Sequence, residues 1–379
     1  MRRIEDSSFA VVANGFRGVP SEPLEEFLLE RKCRRLVSIY HPLAGRAEGH
    51  SLQVWERGEL VVDRTFRRPN RPPYTFPLDL VTPARPPAVD CWFGFNALCC
   101  WRGLLARRLG RARQVVYWCV DFVPERFGRG SPLTAAYERL DGRCCQGADL
   151  RVELSVEMLE GRNRRHSGRR LGPAKVVPIG VWLERLPTTP PDGHRQRRLV
   201  YAGHLVPDKG GRMLIEAFGV LRSRGVPFAA DVIGRGPDGE EMRRMAHALD
   251  LDGIVTFHGY VPDHRDVERL LAGASVGVAP YDPHLATFSR FADVAKLKSY
   301  LGAGLPIVVT EVPPNARRLE AEGAAQVVEF DAGAIADALQ RVLDSAPSWG
   351  HAREASLRLR EEFDWRSLLG ETLGTLGYA

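Results

Sequence analysis

The feature that most constrains this chain is an alternation, repeated in both halves, of short β-rich runs with amphipathic stretches of helical period. In the first half "FAVVANG" (9–15), "RLVSIYH" (35–41), "AVDCWFGF" (88–95), "QVVYWCVDF" (114–122), "LRVELS" (150–155) and "KVVPIGV" (175–181) are strand candidates. Between them "EPLEEFLLERK" and "LTAAYERLDGRCCQGA" have helical spacing. Strands that alternate with helices call for a parallel sheet covered by helices. The stretch "LPTTPPDGHRQRR" (186–198) combines proline, glycine and charge without periodicity and reads as a linker. After it the pattern restarts, with "RLVYAGHLV", "FAADVIG", "IVTFHGY", "VGVAPY" and "PIVVTEV" as strands between helical segments.

A chain of 379 residues exceeds what one core ordinarily holds. The expected organisation is α/β, with two Rossmann-like βα domains facing a cleft. The N-terminal domain covers 1–186, a linker 187–198, the C-terminal domain 199–362, and a helix over 363–379 crosses back to brace the first domain. In that tail Trp365, Leu368, Leu369, Leu373 and Leu376 recur near helical spacing, so one face is expected to be buried.

Composition removes several function classes. Hydrophobic residues make up 44% of the chain and charged ones 26%, and no apolar run approaches the ~20 residues that span a bilayer. The start, "MRRIEDSSFAVVANGF", has an apolar run too short for a secretory signal, so the cytoplasm is the expected compartment. The formal charge of +6, from 53 basic and 47 acidic residues, is too mild for a dedicated nucleic-acid binder. Basic residues do cluster in "RRLGRARQ" (107–114) and "GRNRRHSGRR" (161–170). These are either solvated faces or a peripheral contact with an anionic membrane or acidic acceptor. The cysteines, Cys33, Cys91, Cys99, Cys100, Cys119, Cys144 and Cys145, form no CxxC and fit neither a zinc site nor a disulfide framework. Buried free thiols in a reducing compartment are expected.

In "VIGRGPDGEEM" (232–242), Gly234, Gly236 and Gly239 spell GxGxxG between a strand-like and a helix-like run. A dinucleotide fingerprint belongs at the first βα turn of its domain, with an acidic residue about 20 positions on. Here the preceding strand is the second of its half, the next strand ends in Gly259 and Tyr260, and Pro237 removes an N–H from the middle of the motif. The stretch therefore argues against a nicotinamide or flavin enzyme.

Taken together, "YAGHLVPDKGGRMLIEAF" (201–218), "VIGRGPDGEEMRRMA" (232–246), "VTFHGYVPDHRDVERLLAGASVGVAPY" (255–281) and "AKLKSYLGAGLPIVVTEV" (295–312) resemble, in order and spacing, the C-terminal domain of group 1 glycosyltransferases. The resemblance implies the GT-B architecture and transfer of a sugar from a nucleoside diphosphate to an acceptor hydroxyl. The first half matches only in architecture, as suits a domain that reads diverse acceptors.

The resemblance also implies a donor pocket. Family members carry a glycine, an arginine and a following lysine–glycine pair at the first turn of this domain, where the cations hold the donor diphosphate. Gly203, Lys209 and Gly210 match, and His204 stands at the arginine position. An ammonium and helix N-terminal amides suit the charge of a departing diphosphate. Lys209 is otherwise an ordinary turn lysine and His204 a structural residue. Gly234, Gly236 and Pro237 correspond to the turn that shapes the pocket wall, and Tyr260, Val261 and Tyr281, with neighbouring Asp282, end strands on the ligand-bearing edge. The last two are otherwise loop structure. The two glutamates usual around the fourth motif are missing, since Phe291 and Ser299 occupy their places. A subset of the family shows an aspartate and a lysine instead, which Asp293 and Lys296 resemble, and Lys298 is expected on the outside. Asp293 becomes the candidate catalytic carboxylate or, alternatively, a helix N-cap. Ser299 and Lys296 join the donor-binding set.

In the first half, Asn14 and Gly15 follow the first strand at a glycine turn, "NGFRGVP". They are expected near donor or acceptor. Asp121, in "YWCVDFVPERF" ahead of Glu125 and Arg126, occupies the region where relatives place a sugar-touching histidine, and His41 ends the second strand. Both are further catalytic candidates, with a structural histidine as the alternative for His41. The expected enzyme is a hexosyltransferase-type glycosyltransferase that needs no cofactor beyond its donor. With no Asp-x-Asp loop in the sequence, it is expected to be metal-independent; retention of configuration follows from the resemblance alone. A nucleotide-sugar epimerase of the same fold and a non-catalytic sugar-nucleotide binder remain as alternatives.

Overall fold

The computed structural model describes residues 1–15, 20–42, 49–66, 87–285 and 289–379. The chain divides into two compact units, one made of Met1–Pro178 with Arg366–Ala379 and the other of Ile179–Trp365.

The first unit is built on an eight-stranded sheet. Its strands are β1 Ser8–Gly15, β2 Arg35–Pro42, β3 His50–Glu56, β4 Glu59–Phe66, β5 Val89–Phe95, β6 Ala112–Cys119, β7 Leu150–Glu153 and β8 Ala174–Val176, in the order β4-β3-β2-β1-β5-β6-β7-β8. From β2 to β8 all pairings are parallel, and the central strands are buried along nearly their whole length. That burial explains why they read as continuous apolar runs rather than as alternating ones. The antiparallel β3–β4 hairpin went unread in the sequence. Its turn residues Arg57 and Gly58 both have positive φ, and β4 is mostly exposed, so it carries neither a clear turn dipeptide nor an apolar run.

Residues Arg366–Ala379 complete this unit, with the helix Trp365–Thr375 leading in. Leu369, Leu373 and Leu376 are buried as the spacing requires, whereas Leu368 is only partly so. The Tyr378 ring lies 5.1 Å from Phe9 and its hydroxyl donates to Gln114 Oε1 at 2.7 Å.

The second unit carries a six-stranded parallel sheet. Its strands are β9 Arg198–Ala202, β10 Ala229–Ile233, β11 Val255–Gly259, β12 Val276–Ala279, β13 Ile307–Thr310 and β14 Ala325–Val328, in the order β11-β10-β9-β12-β13-β14. The last of these was not anticipated. The stretch 187–198 is not a free linker but part of this unit. Buried Thr189 receives a hydrogen bond from Arg353 on its carbonyl and donates from its amide to Ala303 and from its hydroxyl to Ala274, while Ser275 donates to Gly193. The division accordingly falls at Pro178/Ile179, ahead of residue 186.

All seven cysteines are buried free thiols. No helix among the described residues is long and apolar enough to cross a membrane.

Candidate donor site on the second sheet

In the second sheet the strand order turns around between β9 and β12, which opens a crevice at their carboxyl ends. The turns bordering it are shaped by glycines. Gly234 has φ +135°, and a Cβ there would lie 1.8 Å from the Gly203 carbonyl oxygen. At Gly236 it would lie 2.1 Å from the Leu205 oxygen. The amide of Gly203 donates to Ile233, Leu205 donates to Arg235 and Asp238 donates to Leu205, so the turns after β9 and β10 are laced together backbone to backbone. The first two glycines of the GxGxxG stretch serve this contact, which explains the motif without a dinucleotide. Gly210, with φ +68°, seats its Cα against the Pro280 carbonyl and opens the helix Gly211–Ser223.

Two ammonium groups enter the crevice region from opposite sides of this frame. Lys209 donates to Ser289 Oγ at 2.6 Å, pairs with Asp208 at 3.0 Å and lies 4.8 Å from the Tyr281 ring centroid. Lys296 projects from the helix Ala295–Gly302, its Nζ 4.0 Å from the Tyr201 ring and 5.1 Å from the Tyr281 ring. That nitrogen is shut off from solvent and has no hydrogen-bond partner among the described residues. Burial above all, with Lys209 adding to it and Asp208 opposing, pushes its pKa down to about 7. A Cβ on Gly203 would meet the same Nζ at 3.0 Å, so any other residue there would crowd the lysine. Tyr201, Asp208 and Ser289 were missed in the sequence, where a strand tyrosine and two turn residues carry no distinguishing signal.

The remaining sequence candidates scatter. His204 is exposed on the turn after β9. Pro237 is exposed, Tyr260 is 60% exposed beneath the Arg235 guanidinium, and Val261 packs against the core. Ser299 donates to the Ala295 carbonyl of its own helix. Asp282 accepts the amides of His284 and Leu285, the loop alternative, while buried Tyr281 stays beside both lysines.

Asp293 needs correction. One carboxylate oxygen is held by Lys298 and the other accepts the Ile179 amide at 2.5 Å. Both side chains are buried, Lys298 wholly so, and the helix begins after Val294, so Asp293 neither caps it nor offers a free oxygen to a sugar. Lys298, expected outside, is the buried counter-ion.

In the first unit, Asn14 and Gly15 end β1 in register with His41 and Pro42 of β2. The Gly15 carbonyl accepts the Tyr40 hydroxyl; residues 16–19 of the same turn lie outside the described residues. His41 is fully buried, with Nδ1 2.8 Å from His50 and Nε2 3.2 Å from Arg102. Burial, Arg102 and His50 lower its pKa to about 2, which makes it a neutral structural residue and a poor proton carrier. Asp121 holds Arg126. Behind it lies a buried network that the sequence did not disclose. Arg162 spans Asp141 and Glu153, Arg151 also meets Glu153, and His166 and Tyr117 reach Asp141. Arg162 and His166 come from the 161–170 run, which is therefore not simply a solvated face.

Residues 196–345 match the sequence family described as group 1 glycosyl transferases. Over 179 residues, 47% of this chain, the sequence is 32% identical to a GDP-mannose-dependent alpha-(1-6)-phosphatidylinositol dimannoside mannosyltransferase of Mycobacterium tuberculosis. The match spans 43% of that relative's length. Among solved structures, sucrose-phosphate synthase from Thermosynechococcus elongatus is similar over 98% of each chain, with a TM-score of 0.69 and 18% identity. Anabaena HepE in complex with UDP-glucose is similar over 76% of this chain and 79% of its own, with a TM-score of 0.56 and 17% identity. The second unit therefore matches the group 1 glycosyl transferase family over residues 196–345, in a chain whose two-sheet fold is that of the GT-B structures.

Proposed function

We propose that the protein is a glycosyltransferase that moves a sugar from a uridine or guanosine diphosphate donor to an acceptor hydroxyl in polysaccharide, glycolipid or natural-product synthesis. The observation that carries this reading is the pair Lys209 and Lys296 beside glycine-shaped turns at the β9/β12 crevice, with the Lys296 amine lacking a hydrogen-bond partner among the described residues. The donor diphosphate supplies that partner. As the glycosidic bond breaks, negative charge grows on the leaving phosphate. The two lysines and the first amides of Gly211–Ser223 are positioned to stabilise it. In this reading the protein side chains supply the positive charge and configuration is retained.

The GDP-mannose dependence of the mycobacterial relative and the UDP-glucose bound to HepE support a nucleotide-sugar donor. Acceptor recognition is assigned to the first unit. There Arg108 and Arg143 lie over the Trp101 ring beside Arg107, an arrangement that favours an anionic membrane or acidic acceptor. The buried thiols fit the reducing cytoplasm.

The test is incubation with UDP- and GDP-sugars and a panel of hydroxyl acceptors, reading nucleoside diphosphate release and glycoside by mass spectrometry. Glycoside formed in step with released diphosphate is expected. Isomerised sugar nucleotide without an acceptor, binding without turnover, or micromolar NAD binding in place of any sugar nucleotide would overturn the reading.

A further inference from the structure

Lys296 is closed in by every element that meets it. Tyr201 from the end of β9 lies beneath the amine and Tyr281 from the loop after β12 lies beside it. Lys209 approaches the same Tyr281 ring and carries Asp208 with it. The turn at Gly203 comes close enough that a Cβ there would lie 3.0 Å from the amine, and His204 stands exposed on the same turn. Aromatic faces attract a cation but accept no ordinary hydrogen bond, and a second cation nearby opposes the charge. An ammonium without water or an acceptor is costly, and the inexpensive response is to shed its proton.

We infer that this site binds the donor diphosphate and a proton together, the Lys296 amine losing its proton as pH rises through neutrality while the site is empty and being held as the phosphate's counter-ion when it is filled. The inference rests on the donor-site reading. The proton comes from solvent, the amine lone pair accepts it, and no other bond is made or broken. A folded-state pKa lowered to about 7 means that the empty protein holds about half a proton there at pH 7 and little at pH 8. Phosphate oxygens beside the amine restore the charged form. Uptake on binding should then rise from near zero at pH 6 to about half a proton at pH 7 and close to one at pH 8. Affinity falls over the same interval.

The experiment is calorimetry of the full chain with UDP-glucose and GDP-mannose from pH 6 to 8, in buffers of different ionisation enthalpy. The pyrophosphate diesters of these probes carry no group that titrates in that window, so proton uptake belongs to the protein. The expected result is the rising uptake described, and its loss in Lys296→Arg, whose guanidinium is charged throughout. Lys296→Met should bind more weakly and likewise without uptake. Binding by the wild type with no proton uptake overturns the inference. So does uptake that persists in Lys296→Arg, which would trace it to a group other than Lys296. If neither probe binds at any pH, the donor-site reading fails, and this inference with it.

Discussion

The carboxyl edges of the two sheets handle charge in opposite ways. At the first, charges are balanced within the protein: Arg162 is divided between Asp141 and Glu153, Asp121 holds Arg126, and His41 is kept neutral. At the second, Lys296 is left without a hydrogen-bond partner among the described residues and Lys209 retains a partly exposed side chain, while glycines hold the surrounding turns open. A network that is already balanced makes structure; a buried amine with no counter-ion of its own gains its charge together with a ligand. Asp293 and Lys298 show that the rule applies within one element, since the helix Ala295–Gly302 carries both the balanced Lys298 and the unbalanced Lys296.

The largest effect is expected at that balanced pair. Asp293→Asn leaves the fully buried Lys298 ammonium without its anion, which should cost about 3–5 kcal/mol of stability, read by chemical denaturation. A slow but normally stable variant would break the comparison and return Asp293 to the catalytic role.

Lys209→Ala comes next. Removing a positioned cation from the departing diphosphate should cost about 2–4 kcal/mol of transition-state stabilisation, with cooperative unfolding retained. Normal turnover would make Lys209 a partner of Asp208 and Ser289 only.

Near neutral pH the smallest effect concerns His41, whose influence emerges only as the solution is acidified. Its native pKa, lowered to about 2, lies below the ordinary value of 6.5, so the unfolded chain binds a proton that the native state refuses. The contribution is complete above about pH 6.5 and declines as pH falls toward 2, by up to roughly tenfold in the folding equilibrium per pH unit. His41→Gln should flatten that part of the stability–pH curve. An unchanged slope in the variant would assign the acid sensitivity to other groups and His41 to a solvated site.

The central strands were legible because a parallel sheet buried on both faces leaves unbroken apolar runs, as in β1 and β9, whereas the helices Ala97–Arg108, Val156–Arg165 and Ala316–Ala321 went unread. The hairpin β3–β4 was not legible, because an exposed antiparallel edge needs no such run. Gly203, Lys209 and Lys296, which the structure brings together around Tyr201 and Tyr281, were singled out through motif order. The partners of charges were not. Nothing local distinguishes Lys296 from Lys298, two positions apart on one short helix, and only packing buries one beside an acid and the other beside two rings. The same holds for Arg162, whose partners lie on β7 and on the helix Pro132–Gly147.

The first unit is assembled from two separated stretches of chain, Met1–Pro178 and Arg366–Ala379, with the second unit threaded between them. Backbone hydrogen bonds join Arg2 to Gly377 and Ala379, and Tyr378 covers Phe9. Because a ribosome delivers the chain from its amino end, the second unit has all of its residues available while the first still lacks its closing piece. Until Tyr378 arrives, the flank of β1 at Phe9 stays uncovered in the nascent protein. The unit that begins first is thus the one that finishes last, and a stalled or prematurely terminated chain leaves the first sheet unsealed while the second can already be whole.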